Sequence, residues 1–181
     1  DWQVPATAGH APAAVVLFEP RTRTLISGDA LWQDRLAIVF PELEDQPGFD
    51  DVARTLDRIE ALDPALVVPG HGQPFTDVAG ALRASRQRLA GFVAAPQRHR
   101  LHAARALVVY HLLSFRQLPH AELLNWIATT PIFVSALQCA GNPERAQALA
   151  QETLDRLVAD GVVQDDGPLA ADRQVRMAAP G

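Results

Sequence analysis

TAGHAPAAVVLFEP, residues 7–20, sets a histidine among small residues and follows it with apolar, β-branched and aromatic side chains. VVLFEP (15–20) and TLIS (24–27) read as strands, and the PRTR between them reads as a tight turn, so the pair predicts a hairpin. His10 therefore stands just before a strand. Asp29 stands just after one, in LISGDAL (25–31), and His71 just after another, in LVVPGHG (66–72). Their neighbours are small: Gly9, Ala11, Gly28, Ala30, Gly70 and Gly72. Glycine lets the backbone turn sharply and approach other groups closely. Ligands gather at strand ends in layered α/β folds, so three such loops can bring two imidazoles and a carboxylate together. Imidazole nitrogen and carboxylate oxygen are ordinary zinc ligands.

Plainer roles remain open at each position. His10 can be a strand-edge histidine bonded to a loop carbonyl. Asp29 can cap a turn before LWQ. His71 can be an ordinary loop residue in a glycine-rich turn.

The rest of the front half predicts layers. PGFDDVARTLDRIEALDP reads as a helix, with Asp50 as N-cap and Val52, Leu56, Ile59 and Leu62 at helical spacing. Pro64 stops it. ALVVPG (65–70) is a short apolar strand, and 76–93 reads as a second amphipathic helix, which gives a layered α/β unit. After AAPQ (94–97) the pattern changes to helices near 99–115, 119–129, 131–140 and 143–160, with Pro119, Pro131 and Pro143 near helix starts. The tail, from Gly161, reads as two short strands with DDG at the turn. Helices followed by a hairpin suggest a winged-helix-like domain, with domains at 1–95 and 96–181.

Composition narrows the function. All 16 basic residues are Arg; residues 1–96 hold 8 of them against 13 acids, and 97–181 hold 8 against 8. Neither half has the basic footprint of a nucleic-acid binder. The helix over 143–160 carries Glu144, Glu152, Asp155 and Asp160 against Arg145 and Arg156, so phosphate would repel it. No apolar run is long enough to span a bilayer. Cys139 is the only cysteine, which excludes an internal disulfide and fits a reducing, cytoplasmic setting; it reads as a small buried hydrophobe. No signal peptide is visible, although the sequence opens at Asp1 without a methionine.

TAGHAPAAVVLFEPRTRTLISGDAL resembles the second half of the metallo-β-lactamase fold, whose members carry a T-x-G-H-[ST]-P-G-like loop, a hairpin and then a G-D-x-[LI] loop. LVVPGHG is similar to the family's later G-H-G loop. The resemblance covers about residues 1–92. One departure is Ala13, where the family often has Gly. The region over about 97–166 resembles the helical C-terminal domain of one branch of these hydrolases. The implied fold class is α+β: an αββα layered half-fold followed by a mainly α, winged-helix-like domain.

The resemblance also implies chemistry. In the family two zinc ions activate a water for hydrolysis. His10 would hold one Zn2+, His71 the other, and Asp29 would bridge them and orient the nucleophile, which makes Asp29 the candidate catalytic residue. The family's first metal-binding stretch, H-x-H-x-D-H, is absent; His99 and His102 are spaced H-x-x-H and fall on a predicted helix. Two protein ligands per zinc fall short of a closed tetrahedral site. The resemblance thus implies a C-terminal part of a longer enzyme, with partial or no zinc and little turnover in this chain alone. Small-molecule esters or thioesters are the expected substrates, with a phosphodiesterase or ribonuclease of the same fold as the alternative. A winged-helix binding or assembly module without catalysis, and a self-associating homodimer, are the other options. Arg83, Arg86 and Arg88 read as a solvated helix face or an anion-binding edge. Arg98, Arg100, His99 and His102 read as a solvated, basic helix start, with phosphate contact as the alternative. Tyr110 with Leu113, and Trp126 with its apolar neighbours, are expected in the core of the second domain.

Overall fold

A computed structural model describes residues 1–167 and 172–179. The turn expected after DDG, over 168–171, lies outside the described residues. The chain divides into two compact units, Asp1–Arg98 and His99–Gly181, and its class is α+β.

The first unit contains β1 (Leu17–Glu19), β2 (Thr24–Gly28), α1 (Phe40–Leu43), α2 (Phe49–Leu62), β3 (Leu66–Pro69) and α3 (Val78–Ala94). β1 and β2 form the expected antiparallel hairpin, with Leu17 opposite Ile26 and Phe18 opposite Leu25. β3 joins β2 in parallel after the α2 crossover, with Leu25 opposite Val67. Side chains alternate across a strand. Val16, Phe18, Leu25 and Val67 are thus buried in one core with Leu56, Ile59, Leu82 and Leu89 of α2 and α3. Val15, Leu17 and Ile26, of opposite parity, are exposed. Arg86 is spent within this unit. It crosses from α3 to α2 and bonds Asp57 and Glu60, each at 2.8 Å, so it belongs to an inter-helix ion-pair network and not to an anion-binding edge.

Asp50 is not the cap of α2. The N-cap is Gly48, and the Glu42 side chain, from the preceding turn, accepts from the backbone N–H groups of Gly48 and Phe49 at 2.7 and 2.9 Å. Asp50 sits in the first turn, where its charge still favours the helix dipole. Asp63 ends the helix in the left-handed conformation, directly before Pro64.

The second unit runs α4 (Pro96–Phe115), β4 (Gln117–Pro119), α5 (His120–Thr129), α6 (Pro131–Ala136), α7 (Pro143–Ala159), β5 (Val163–Asp165) and β6 (Gln174–Met177), with α4 beginning just ahead of the unit boundary. The sheet order is β4-β6-β5, antiparallel throughout. Asn142 caps α7 by accepting from the Arg145 N–H at 3.0 Å, with Pro143 in the first turn. The core gathers Val108, Leu112, Leu123, Ile127, Phe133, Leu154 and Leu157, and it takes in Cys139. Tyr110 and Leu113 depart from expectation: they are 44% and 60% exposed. The core face of α4 runs through Ala104, Val108 and Leu112 at i, i+4 spacing, and those two residues fall off it. α6 also stops at Ala136, short of the predicted 140, and Gln138 has a φ of 52°. Among the described residues, no helix is long and apolar enough to cross a membrane.

Candidate metal centre

His10 belongs to a loop pinned from several directions. The Thr7 N–H bonds the Ala14 carbonyl at 2.8 Å, and the Phe40 N–H bonds the His10 carbonyl at 3.3 Å. From α2, the Thr55 hydroxyl donates to the Ala8 carbonyl at 2.7 Å, and Arg58 donates to the Ala6 carbonyl. Gly9 makes the close approach possible. Its φ is +143°, and a Cβ there would lie 2.7 Å from the Val52 side chain. The imidazole of His10 meets the Phe40 ring edge-on, with centroids 5.1 Å apart.

The two nitrogens of His10 have different partners. Nδ1 lies 2.7 Å from the Ile38 carbonyl oxygen. A carbonyl can only accept, so Nδ1 carries a proton and Nε2 is the nitrogen left to face the centre. Nε2 lies 3.3 Å from Asp29 Oδ2. The carbonyl-bonded role and the site-facing role, open alternatives in the sequence, thus coexist in one ring.

Asp29 follows β2, and its loop is tied to the loop after β3. The Gly70 N–H bonds the Gly28 carbonyl at 2.8 Å. A Cβ on Gly70 would stand 2.8 Å from Asp29 Oδ1 and 3.0 Å from the Gly28 carbonyl carbon, so only glycine leaves the carboxylate its place. The same turn delivers His71, whose Nε2 is 3.9 Å from Asp29 Oδ1. The three loops therefore converge as expected: one carboxylate with an imidazole toward each oxygen. The side chains are part-exposed, at 26% for His10, 31% for Asp29 and 55% for His71, which leaves the centre open to solvent and solutes.

Trp32 had no place in the sequence reading. Its indole N–H is 3.2 Å from both Asp29 Oδ1 and the Gly28 carbonyl oxygen, and its ring meets His71 edge-on at 5.1 Å. Its only signal in the sequence is its position three residues after Asp29. His99 and His102 are not part of this centre. His99 is fully buried at the start of the second unit, where burial first, and then the charges of His102 and Arg100, lower its pKa to about 4.

The donor set fits a divalent transition ion. An Nε2 lone pair facing a carboxylate oxygen needs a proton or a cation between them, and the Nδ1–carbonyl bond is the usual outer support of a metal-binding histidine. Nitrogen and oxygen donors of this kind suit zinc and its first-row neighbours. Among the described residues, no three His, Cys, Asp or Glu side chains close around a single point. The two imidazoles address different oxygens of Asp29, so the chain offers the edges of two positions and encloses neither.

Residues 1–71 match the family model of the metallo-beta-lactamase superfamily. Two Bacillus subtilis (strain 168) proteins are similar to part of this chain. "Probable metallo-hydrolase YqjP" is 36% identical over 84 residues, covering 42% of this chain and 26% of that protein. "Probable metallo-hydrolase YflN" is 31% identical over 87 residues, covering 42% of this chain and 33% of that protein. The chain thus spans only about a quarter to a third of the length of these relatives. A solved metallo-beta-lactamase family protein from Thermus thermophilus aligns with 97% of this chain and 49% of its own, at 22% identity and a TM-score of 0.43. The family resemblance of the front half holds over residues 1–71.

Proposed function

We propose that this chain, whose first 71 residues carry a metallo-beta-lactamase superfamily segment, forms part of a metal-dependent hydrolase centred on His10, Asp29 and His71. The observation that carries the reading is the Asp29 carboxylate with His10 Nε2 at 3.3 Å from one oxygen and His71 Nε2 at 3.9 Å from the other. When bound, a pair of zinc ions would make hydroxide available near neutral pH and stabilise the negative charge that develops on the substrate. The chain's own residues supply position. His10 presents Nε2 because its Nδ1 proton is committed to Ile38. Asp29 stands between the imidazoles and orients the attacking water by accepting from it. His71 approaches from the opposite side on a turn that Gly70 keeps close.

Esters or thioesters of small molecules are the substrates we favour over nucleic acids. The net charge is −5, and α7 with its C-cap Asp160 carries four acids against two arginines, features that weaken phosphate binding. We read the second unit as winged-helix-like, supported by β4 lying between α4 and α5 and pairing with the second strand of the terminal hairpin. On this reading it packs, lids or dimerises, and does not bind nucleic acid.

Elemental analysis of the purified chain, with His10→Ala and Asp29→Ala beside it, tests the metal assignment. Zinc that is held by the parent chain and lost from both variants is the expected result. Equal zinc in all three would overturn it. A panel of simple esters, thioesters and phosphodiesters offered to the zinc-loaded chain tests the substrate class. Turnover of phosphodiesters alone would overturn that reading. The expected rate is low, because each zinc finds too few protein ligands here.

A further inference from the structure

A carboxylate that bridges two positions must present a defined oxygen to each, yet Asp29 hangs from a flexible side chain in a solvent-facing loop. Within hydrogen-bond distance of its oxygens, one side-chain N–H stands out. The Trp32 indole N–H lies 3.2 Å from Oδ1 and 3.2 Å from the Gly28 carbonyl oxygen, so it straddles the backbone of the loop and its carboxylate. A donor there holds the carboxylate plane and leaves Oδ2 turned toward His10 Nε2 at 3.3 Å. The same ring also meets the His71 imidazole edge-on, at 5.1 Å and 79°. One side chain from the segment after β2 thus touches two of the three converging groups. Packing alone would be met by Phe or Tyr, whereas of the three large aromatic side chains only tryptophan adds an N–H to aim at the carboxylate.

We propose that Trp32 is a positioning residue of this centre. Its N–H selects Oδ2 as the oxygen facing His10, and its ring fixes the orientation of His71. The proposal rests on the metal-centre reading above. Outer partners of this kind are typically worth 10- to 100-fold in metal affinity.

The test uses the 181-residue chain and separates the two ideas. In the metal-free protein, the indole N–H resonance of Trp32, assigned by its loss in Trp32→Phe, should shift and exchange faster in Asp29→Ala. An unchanged resonance overturns the proposal. Trp32→Phe should also shift the His10 ring nitrogens, and their invariance overturns it as well. Cobalt(II) is then titrated into the chain and followed by its absorption and by the histidine resonances. Trp32→Phe should bind about tenfold more weakly at an unchanged melting temperature, and Trp32→Ala more weakly still. Equal affinity in a folded Trp32→Phe overturns the proposal. If the parent chain takes up no cobalt while both metal-free shifts occur, the metal-centre reading fails and the positioning of Asp29 by Trp32 stands.

Discussion

Among the described residues, each unit holds a histidine–aspartate cluster, and the two clusters are built differently. In the second unit Asp165 is 7% exposed. Arg173 grips it through two bonds, Nε to Oδ1 at 2.7 Å and Nη2 to Oδ2 at 2.6 Å. The Gly167 N–H adds a third bond at 3.0 Å, and His120 Nε2 stands 3.6 Å away without a hydrogen-bond partner among the described residues. Arg173 holds the Asp165 carboxyl below its usual range. Burial first, then the Arg173 charge, lowers the pKa of His120 and outweighs the nearby carboxylates. In the first unit Asp29 is 31% exposed, no guanidinium reaches it among the described residues, and imidazoles face both its oxygens. The third partner decides the outcome. A bidentate arginine saturates the carboxylate and makes the cluster a fastener. Two imidazoles at 3.3 and 3.9 Å do not saturate the carboxylate, and on the proposed metal-centre reading the cluster is a receptor for a cation.

The contrast predicts where substitutions will hurt. Asp165→Ala leaves a partly buried arginine and a buried histidine without their anion, and it should cost about 2–3 kcal/mol in chemical denaturation while metal uptake stays as in the parent. Gly70→Ala forces a Cβ against Asp29 and the Gly28 backbone. It should cost about 1–2 kcal/mol and weaken metal binding together, so a stable variant with unchanged metal affinity would break the assignment of that turn. Acid should find the second unit first. Above pH 6.5 His99 is neutral in both folded and unfolded chains. Below it the unfolded chain takes up a proton that the folded one refuses until about pH 4, so stability falls across that window. His120 contributes with the same sign. Denaturant midpoints at pH 7, 5.5 and 4.5 should decline in that order, and a flat series would contradict the burial of these rings. Smallest of all, His71→Ala should change stability by less than about 0.5 kcal/mol, since its side chain is 55% exposed; its effect should appear only when metal is added.

The convergence of His10, Asp29 and His71 was legible in the sequence and the Asp165 fastener was not, for a physical reason. TAGH, SGD and PGHG each place a functional side chain beside glycine at the end of an apolar strand, and strand ends on one sheet edge must meet. His120, Asp165 and Arg173 are brought together by the pairing of β4, β6 and β5, and nothing in their spacing announces it. Trp32 stayed hidden because its role depends on the rotamer of Asp29. The cap of α2 was misassigned to Asp50 because Glu42 reaches it from a separate helical turn. α1 and β4 are four and three residues long, too short to leave a period.

The most direct test of the converging loops is a zinc titration followed by the ring nitrogens of all the histidines, in the parent chain, Asp29→Ala and Asp165→Ala. Shifts confined to His10 and His71, kept in Asp165→Ala and lost in Asp29→Ala, are the predicted result. Zinc that leaves His10 and His71 unmoved, or moves them equally without Asp29, would contradict the assignment of a metal centre to these three residues.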